Sequence, residues 1–129
     1  MPDRAKLAEE WFVFGERDLQ AAKALMGREG LTDIISMLVQ QAVEKYLKGF
    51  LIYHGWKLRK THDLRRLVAE ASKYDPGLAD FRDFARKATA YYLEHRYPPG
   101  PPADHTAEEI AAMMEQTEKL VSRIRAATH

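Results

Sequence analysis

Residues 40–50, QQAVEKYLKGF, constrain the fold most, because they read as the middle of a helix that is apolar around most of its circumference. At about 100° per residue, one face of this helix carries a continuous apolar row: Ile35, Val39, Ala42, Tyr46, Phe50 and Tyr53. The remaining polar side chains occupy a narrow arc, which consists of Gln41, Glu44, Lys45 and Lys48. A helix with this pattern is expected to lie inside the protein with only the arc near water. We therefore expect functional groups in the arc.

Composition limits the classes of protein to consider. At 129 residues, the chain is expected to form a single domain, 1–129, that buries roughly two-thirds of its unfolded surface. It has no cysteine, which excludes a disulfide framework, a thiolate zinc site and a cysteine nucleophile. No apolar run is long enough to span a membrane, and the acidic N-terminus is unlike a signal peptide, so a cytoplasmic protein is expected. A net charge of +1 gives no global argument for nucleic acid.

The first helix is predicted to run from Arg4 to Gly27, where glycine supplies the stop. Its buried stripe is predicted to consist of Leu7, Trp11, Phe14, Ala21 and Leu25, with Phe12, Leu19, Ala22 and Met26 on an adjoining strip. Asp18 falls in the centre of this stripe. A buried carboxylate is costly unless it is paired. Asp18 is therefore interpreted as a structural buried acid that ties two helices together or, alternatively, as a site residue.

The second helix is predicted to begin near Thr32, as N-cap, and to end near His54. The most basic window of the chain follows at residues 56–66. Thr61 is the predicted N-cap of a third helix, which places His62 and Asp63 in its first turn. The helix dipole favours Asp63 at that position and a neutral His62. The buried stripe of this helix is predicted to be Leu64, Leu67, Val68, Ala71 and Tyr74.

Two more helices complete the pattern. A fourth follows the turn at residues 75–77 and ends before Pro98, with Leu78, Phe81, Ala85, Ala88 and Tyr92 on one face. The proline-rich residues 97–102 are predicted to form a stiff, extended connection. Thr106 and Glu109 form a capping box for the fifth helix. No strand-like alternation occurs, so the predicted fold is an all-α, up-and-down bundle of four to five helices.

Motifs for several chemistries are absent from the sequence. No Glu-x-x-His occurs, as a di-iron bundle requires, and no glycine-rich phosphate loop or nucleophile elbow is found, so neither a metal nor a cofactor is expected. The remaining candidates are basic and aromatic groups, which suit phosphate: Lys45, Lys48, Arg59, Lys60, His62, Arg65, Arg66, His95, Arg96 and Tyr97. The predicted phosphate site takes Lys45, Lys48, Arg59, His62, Arg96 and Tyr97 from this set, together with Asp63 beside His62.

Structural interpretations of these residues stay open. A basic window is usually a solvated surface, and Glu44 with Lys48 forms an i,i+4 pair that stabilises a helix. Lys45 is, in this interpretation, the counter-ion of Asp18, and His95 and Arg96 interact with the negative end of their helix.

Four segments carry a resemblance to a known family: RDLQAA at 17–22, QQAVEKYLK at 40–48, THDL at 61–64 and RYP at 96–98. In this order they resemble the HEPN domain family of bacteria and archaea. The resemblance implies a helical bundle that commonly forms homodimers. It also implies a small cytoplasmic protein that binds nucleotide or RNA and is often encoded beside a minimal nucleotidyltransferase, as a toxin–antitoxin-like pair.

Many proteins of that family are metal-independent ribonucleases with an Arg, four to six residues and a His. This chain departs from the motif, because eight residues separate Arg96 from His105 and two separate Arg59 from His62. Ribonuclease activity is therefore not carried over, although His62, His95 and Arg96 remain weak catalytic candidates. We therefore interpret the protein as a phosphate-binding module. The alternatives are a ribonuclease toxin and a non-catalytic dimerisation scaffold.

Overall fold

The computed structural model describes residues 3–57, 59–95 and 105–128. Within these ranges the chain forms five α-helices and no strand, which confirms the predicted all-α fold. The helices are α1 (Arg4–Leu25), α2 (Thr32–Tyr53), α3 (Leu64–Ser72), α4 (Arg82–His95) and α5 (Ala107–Ala127). A short 3₁₀ helix, Pro76–Phe81, precedes α4 and takes the place of the predicted first turns of that helix. None of the described helices is long and apolar enough to cross a membrane.

Helix α2 is the centre of the bundle and contacts α1, α3, α4 and α5. Its most extensive contact is with α1, to which a short turn connects it. Twelve residues of α2 are buried, among them Tyr46, Leu47, Phe50 and Leu51 with no exposed surface. The apolar row predicted for residues 35–53 thus forms the core.

Two glycines allow α1 and α2 to approach closely. A Cβ added to Gly15 would lie 2.9 Å from Cδ2 of Tyr46, and one added to Gly49 would lie 2.6 Å from Cε1 of Phe12. The Phe12 and Tyr46 rings stack between these glycines, with centroids 5.4 Å apart. The helices therefore pack ring against backbone at this crossing.

The predicted buried stripe of α1 is wrong, because the helix turns its adjoining strip toward α2. The buried residues are Ala8, Phe12, Gly15, Leu19 and Ala22. Leu7 and Phe14 of the predicted stripe are 37% and 53% exposed. The sequence offers two apolar strips, and the one that contains Gly15 permits the closer approach.

Two predicted N-caps are also wrong. Helix α3 begins at Leu64 and its N-cap is Asp63, whose carboxylate accepts from the backbone N–H of Arg65. The hydroxyl of Thr61 instead accepts from the backbone N–H of Asp63, two residues later and before the helix begins. Thr32 is the first residue of α2, whose N-cap Leu31 makes no side-chain bond. In contrast, the capping box at the start of α5 is confirmed. Tyr74, predicted to be buried, is 46% exposed because it follows the end of α3.

Arg125, in the last turn of α5, contacts α1 and α2 where these two helices cross. Its guanidinium lies 5.0 Å from the centroid of the Phe12 ring and 5.6 Å from that of Tyr46. The same group donates to Glu9 of α1 at 2.8 Å. The Tyr46 hydroxyl donates to Glu16 of α1 at 2.8 Å.

The Tyr46 phenol is expected to ionise at a higher pH than an ordinary tyrosine. Burial raises the pKa of Tyr46 to about 12, and the hydrogen bond to Glu16 acts in the same direction. A group whose pKa is raised by folding adds to the stability of the folded state. The contribution is fully present when the pH is below the ordinary pKa, here 10.0, and it is lost as the pH rises through the raised pKa of about 12. In a spectrophotometric titration, Tyr46→Phe should remove the tyrosine transition near pH 12. The variant should also lose less stability than the wild type over this range. An unchanged alkaline titration in Tyr46→Phe would contradict this assignment.

Candidate functional site

The carboxylate of Glu44, on the polar arc of α2, contacts one lysine and one histidine. Its Oε2 accepts from Nζ of Lys48 at 3.1 Å, and its Oε1 lies 2.8 Å from Nδ1 of His62. The Glu44 and Lys48 side chains are 12% and 6% exposed, whereas the His62 side chain is 55% exposed. The arrangement places an imidazole at the surface above a buried ion pair. We refer to Glu44, Lys48 and His62 as the α2 triad.

The positions of the triad follow from the fold. Glu44 and Lys48 are one turn apart on α2, so their side chains lie on the same face. Lys48 also lies over the ring of Trp11 of α1, with Nζ 5.8 Å from the ring centroid. His62 comes from the segment before α3, which is anchored where the N–H of Leu64 donates to the buried Thr89 hydroxyl of α4 at 3.1 Å. Three helices and one connecting segment thus fix the triad.

Lys45 and Asp18 form a second ion pair beside the triad. Nζ of Lys45 lies 2.5 Å from Oδ2 of Asp18, and the two side chains are 29% and 18% exposed. Asp18 thereby joins α1 to α2, as in the structural interpretation of this acid. The geometry thus gives both lysines of the arc internal partners, Asp18 for Lys45 and Glu44 for Lys48.

Asp63 caps α3. Hydrogen bonds from the Arg65 side chain hold the pKa of Asp63 below its ordinary value. An ionised carboxylate at the N-cap accepts from the helix N–H groups and occupies the position that an anion would otherwise take. Because Asp63 is the cap, His62 lies outside the helix rather than in its first turn as predicted.

The basic window is a solvent-exposed segment. Its exposed cationic side chains are Lys57, Arg59, Lys60, Arg65 and Arg66. They lie on both sides of His62 in the sequence, and Arg65 is paired with Asp63. We refer to residues 57–66 as the cation-rich segment. His95 is the last residue of α4, and Arg96 and Tyr97 lie outside the described residues. In the described ranges, no three His, Asp or Glu side chains are grouped to hold a metal ion.

A cleft of about 500 Å³ lies elsewhere, between α4 and α5. Its charged lining is mainly acidic, from Asp80, Asp83 and Glu109, with Lys87 as the cation. This balance disfavours phosphate, so we place the candidate anion site at the cation-rich segment and not in the cleft.

Sequence reasoning missed the part that Glu44 plays. The i,i+4 spacing to Lys48 indicates a pair on one helix, and the structure adds a bond from the same carboxylate to a residue 18 positions later. Periodicity within a helix carries no signal for such a contact. The only sequence signals were the position of Glu44 on the arc and the placement of His62 in the basic window.

The comparisons with known proteins agree on the fold. A solved structure titled "Crystal Structure of ST0689, an archaeal HEPN homologue" matches with a TM-score of 0.75 and 23% sequence identity, over 95% of this chain and 98% of that one. No curated protein matches the sequence significantly. The family model for the HEPN domain matches residues 8–126. The chain therefore belongs to the HEPN domain family.

Proposed function

We propose that this protein binds the phosphate groups of a nucleotide or RNA, as the HEPN component of a two-gene HEPN and nucleotidyltransferase system. The observation that carries the proposal is the exposed cation-rich segment around His62. Membership of the HEPN family supports it. The proposal includes a cytoplasmic homodimer with the nucleotidyltransferase as its second partner.

The proposed contacts follow from exposure and charge. Arg59 and Lys60 are exposed, and a guanidinium offers a planar fork of donors that matches phosphate oxygens. His62 adds a third group at the same surface, because its ring is 55% exposed. The buried Lys48 supports this surface indirectly, since its ammonium is held by Glu44. Arg96 and Tyr97 are retained as proposed ligands on the basis of sequence alone.

A second candidate, a metal-independent ribonuclease, is favoured by the contact between Glu44 and His62. A carboxylate bound to one nitrogen of a histidine orients the ring for proton transfer at the other nitrogen. RNA recovered intact after incubation in the presence of a chelator would favour the binding module, and cleavage that His62→Ala abolishes would favour the enzyme.

The binding proposal predicts a change in salt dependence. Each cation that contacts a phosphate of a single strand contributes about 0.7 to the slope of log K against log salt. Arg59→Gln/Lys60→Gln should therefore reduce that slope by about 1.4 for single-stranded RNA. Isothermal titration over a series of salt concentrations measures this quantity.

A control variant removes two positive charges from surfaces away from the cation-rich segment. Lys6→Gln/Lys119→Gln replaces two exposed cations, on α1 and α5, and should leave the slope unchanged. An equal loss of slope in both double variants would show that RNA responds only to net charge, and the cation-rich segment would then not be the site.

A further inference from the structure

We propose that an exposed apolar face of the α1–α2 hairpin binds a second copy of this chain, with the two α1 helices antiparallel and Phe14 on the two-fold axis. This inference deepens the homodimer that the proposed function includes, and it rests on that part of the proposed function. It assigns the surface and the contacts of the dimer, which neither the family match nor the fold specifies.

Exposed apolar side chains are concentrated on one part of the molecule. Of the seven large apolar side chains that are exposed in the described ranges, six belong to residues 4–53, the α1–α2 hairpin. Phe14 is the most exposed of the seven, at 53%. We define the apolar face as the following exposed or half-buried residues on one side of the hairpin: Leu7, Trp11, Phe14, Ala21, Ile34 and Met37. Apolar side chains gathered in this way indicate an interaction surface.

Contacts between the helices show that these residues share one side of the hairpin. The members on α1 recur at helical spacing and so form one stripe of that helix. Asp18 lies in the same stripe and pairs with Lys45, which identifies the side that α2 contributes. Ile34 precedes Lys45 by roughly three helical turns and so belongs to that side. The ion pairs that reach α5 start from Glu9 and Lys23, on the opposite side of α1.

The order of residues along α1 favours a second copy as the partner. Leu7 and Ala21 lie at equal distances in sequence on either side of Phe14. When two α1 helices pack antiparallel around Phe14, Leu7 of each copy meets Ala21 of the other, a large side chain against a small one. A two-fold interface requires this self-complementarity, because each contact is made twice with the copies exchanged.

The charges on this side of α1 support the same arrangement. Glu10 precedes Phe14 by one helical turn and Arg17 follows it by about one turn, on the same edge of the apolar face. Antiparallel packing therefore brings Arg17 of each copy to Glu10 of the other. The remaining charges at the face, Asp18 and Lys45, form an ion pair of net charge zero. A face with balanced charge does not favour a strongly charged partner such as RNA.

The apolar face adjoins the candidate phosphate site. The Trp11 ring belongs to this face, and its centroid lies 5.8 Å from Nζ of Lys48 in the α2 triad. Trp11 is only about 4.5 Å from Phe14 along the helix axis, at 1.5 Å per residue. Docking around Phe14 therefore places the triads of both copies beside one interface.

Self-association is tested first, by sedimentation over a dilution series. Phe14→Asp should weaken the dimer at least about thirtyfold, as expected for an aromatic at the centre of an interface. Its position is exposed, so circular dichroism should show an intact fold. Val13→Asp is the matched control, since Val13 is 49% exposed but lies about 100° around α1 from Phe14. A monomeric wild type, or equal weakening by both variants, would overturn the inference.

The antiparallel order is tested by crosslinking, because the chain has no cysteine of its own. Phe14→Cys should form a covalent dimer on mild oxidation, since a disulfide needs Cα atoms within about 7 Å. Leu7→Cys alone should not, because its two copies lie about 21 Å apart along the helix axes. A mixture of Leu7→Cys with Ala21→Cys should crosslink. Equal crosslinking of Lys119→Cys, on α5, would show that the disulfides form by random collision.

Charge reversal tests the pair at the edge of the face. Glu10→Arg and Arg17→Glu should each weaken the dimer about fivefold, as expected for loss of surface ion pairs. The double variant restores opposite charges across the interface and should recover the wild-type dissociation constant. A double variant weaker than either single variant would contradict the proposed contact.

The outcomes separate this inference from phosphate binding, with a short single-stranded oligoribonucleotide as the probe. A wild-type monomer that binds the oligoribonucleotide would overturn the inference and leave the phosphate-binding module in place. A dimer with the expected crosslinks that binds no oligoribonucleotide would support the inference and overturn the phosphate-binding function.

Discussion

Glu44→Ala should lower the free energy of unfolding by about 3 kcal/mol, because it leaves the ammonium of Lys48 buried without its carboxylate partner. Only 6% of the Lys48 side chain is exposed, so water cannot replace the lost partner fully. The nearby Trp11 ring contributes a weak cation–π contact. The variant also releases His62, but that residue is largely exposed and its loss should add little. Urea denaturation of the wild type and variant measures the difference.

Two further variants isolate the cause of that loss. Glu44→Ala/Lys48→Met removes both charges and keeps an apolar side chain over Trp11, so it should recover most of the stability. Glu115→Ala breaks the exposed i,i+4 pair with Lys119 and should cost only about 0.3–0.5 kcal/mol. If the double variant is no more stable than Glu44→Ala, burial of the Lys48 charge is not the source of the effect.

Gly49→Val should lower the free energy of unfolding by about 3 kcal/mol, at the upper end of the range for overpacked cores. The new Cβ would lie 2.6 Å from Cε1 of Phe12 and 3.0 Å from Cβ of Trp11. Phe12 is 2% exposed and stacks on Tyr46, so its ring has no room to move aside. We expect the two helices to separate, with a lower thermal midpoint as the measured result.

The control and the rescue use neighbouring positions. Ala24→Val places the same side chain on the exposed face of α1 and reports only the helix propensity of valine, a loss of less than about 1 kcal/mol. In a Phe12→Leu background, the penalty of Gly49→Val should shrink, since leucine lacks the far edge of the ring. Equal penalties in both backgrounds would locate the strain elsewhere than at Phe12.

The helices and their order could be predicted because each has local signals. The apolar row of α2 and the capping box of α5 are properties of consecutive residues, and both were placed correctly. The buried face of α1 depends on its partner, because two apolar strips compete and contact with Tyr46 selects the one that contains Gly15. The start of α3 was misplaced because Thr61 and Asp63 both have side chains that cap, and tertiary contacts decide between them.

The candidate site could be predicted only in part. The sequence places charged residues on the arc and in the basic window, but the bond from Glu44 to His62 joins elements that local patterns do not connect. The ion pairs of Lys45 and Lys48 likewise depend on the packing of α1 and α2. Pairing of this kind distinguishes the internally paired lysines from the exposed cations of the basic window.

The contact of Arg125 with the crossing of α1 and α2 has a consequence for synthesis on the ribosome. The α1–α2 hairpin is local in sequence and is able to form early, whereas Arg125 meets Glu9 across 116 positions. Until α5 emerges, the face of Phe12 and Tyr46 that Arg125 covers stays open to water or to chaperones. We therefore expect closure of the bundle by α5 to be a late event, and the nascent hairpin to expose apolar surface until then.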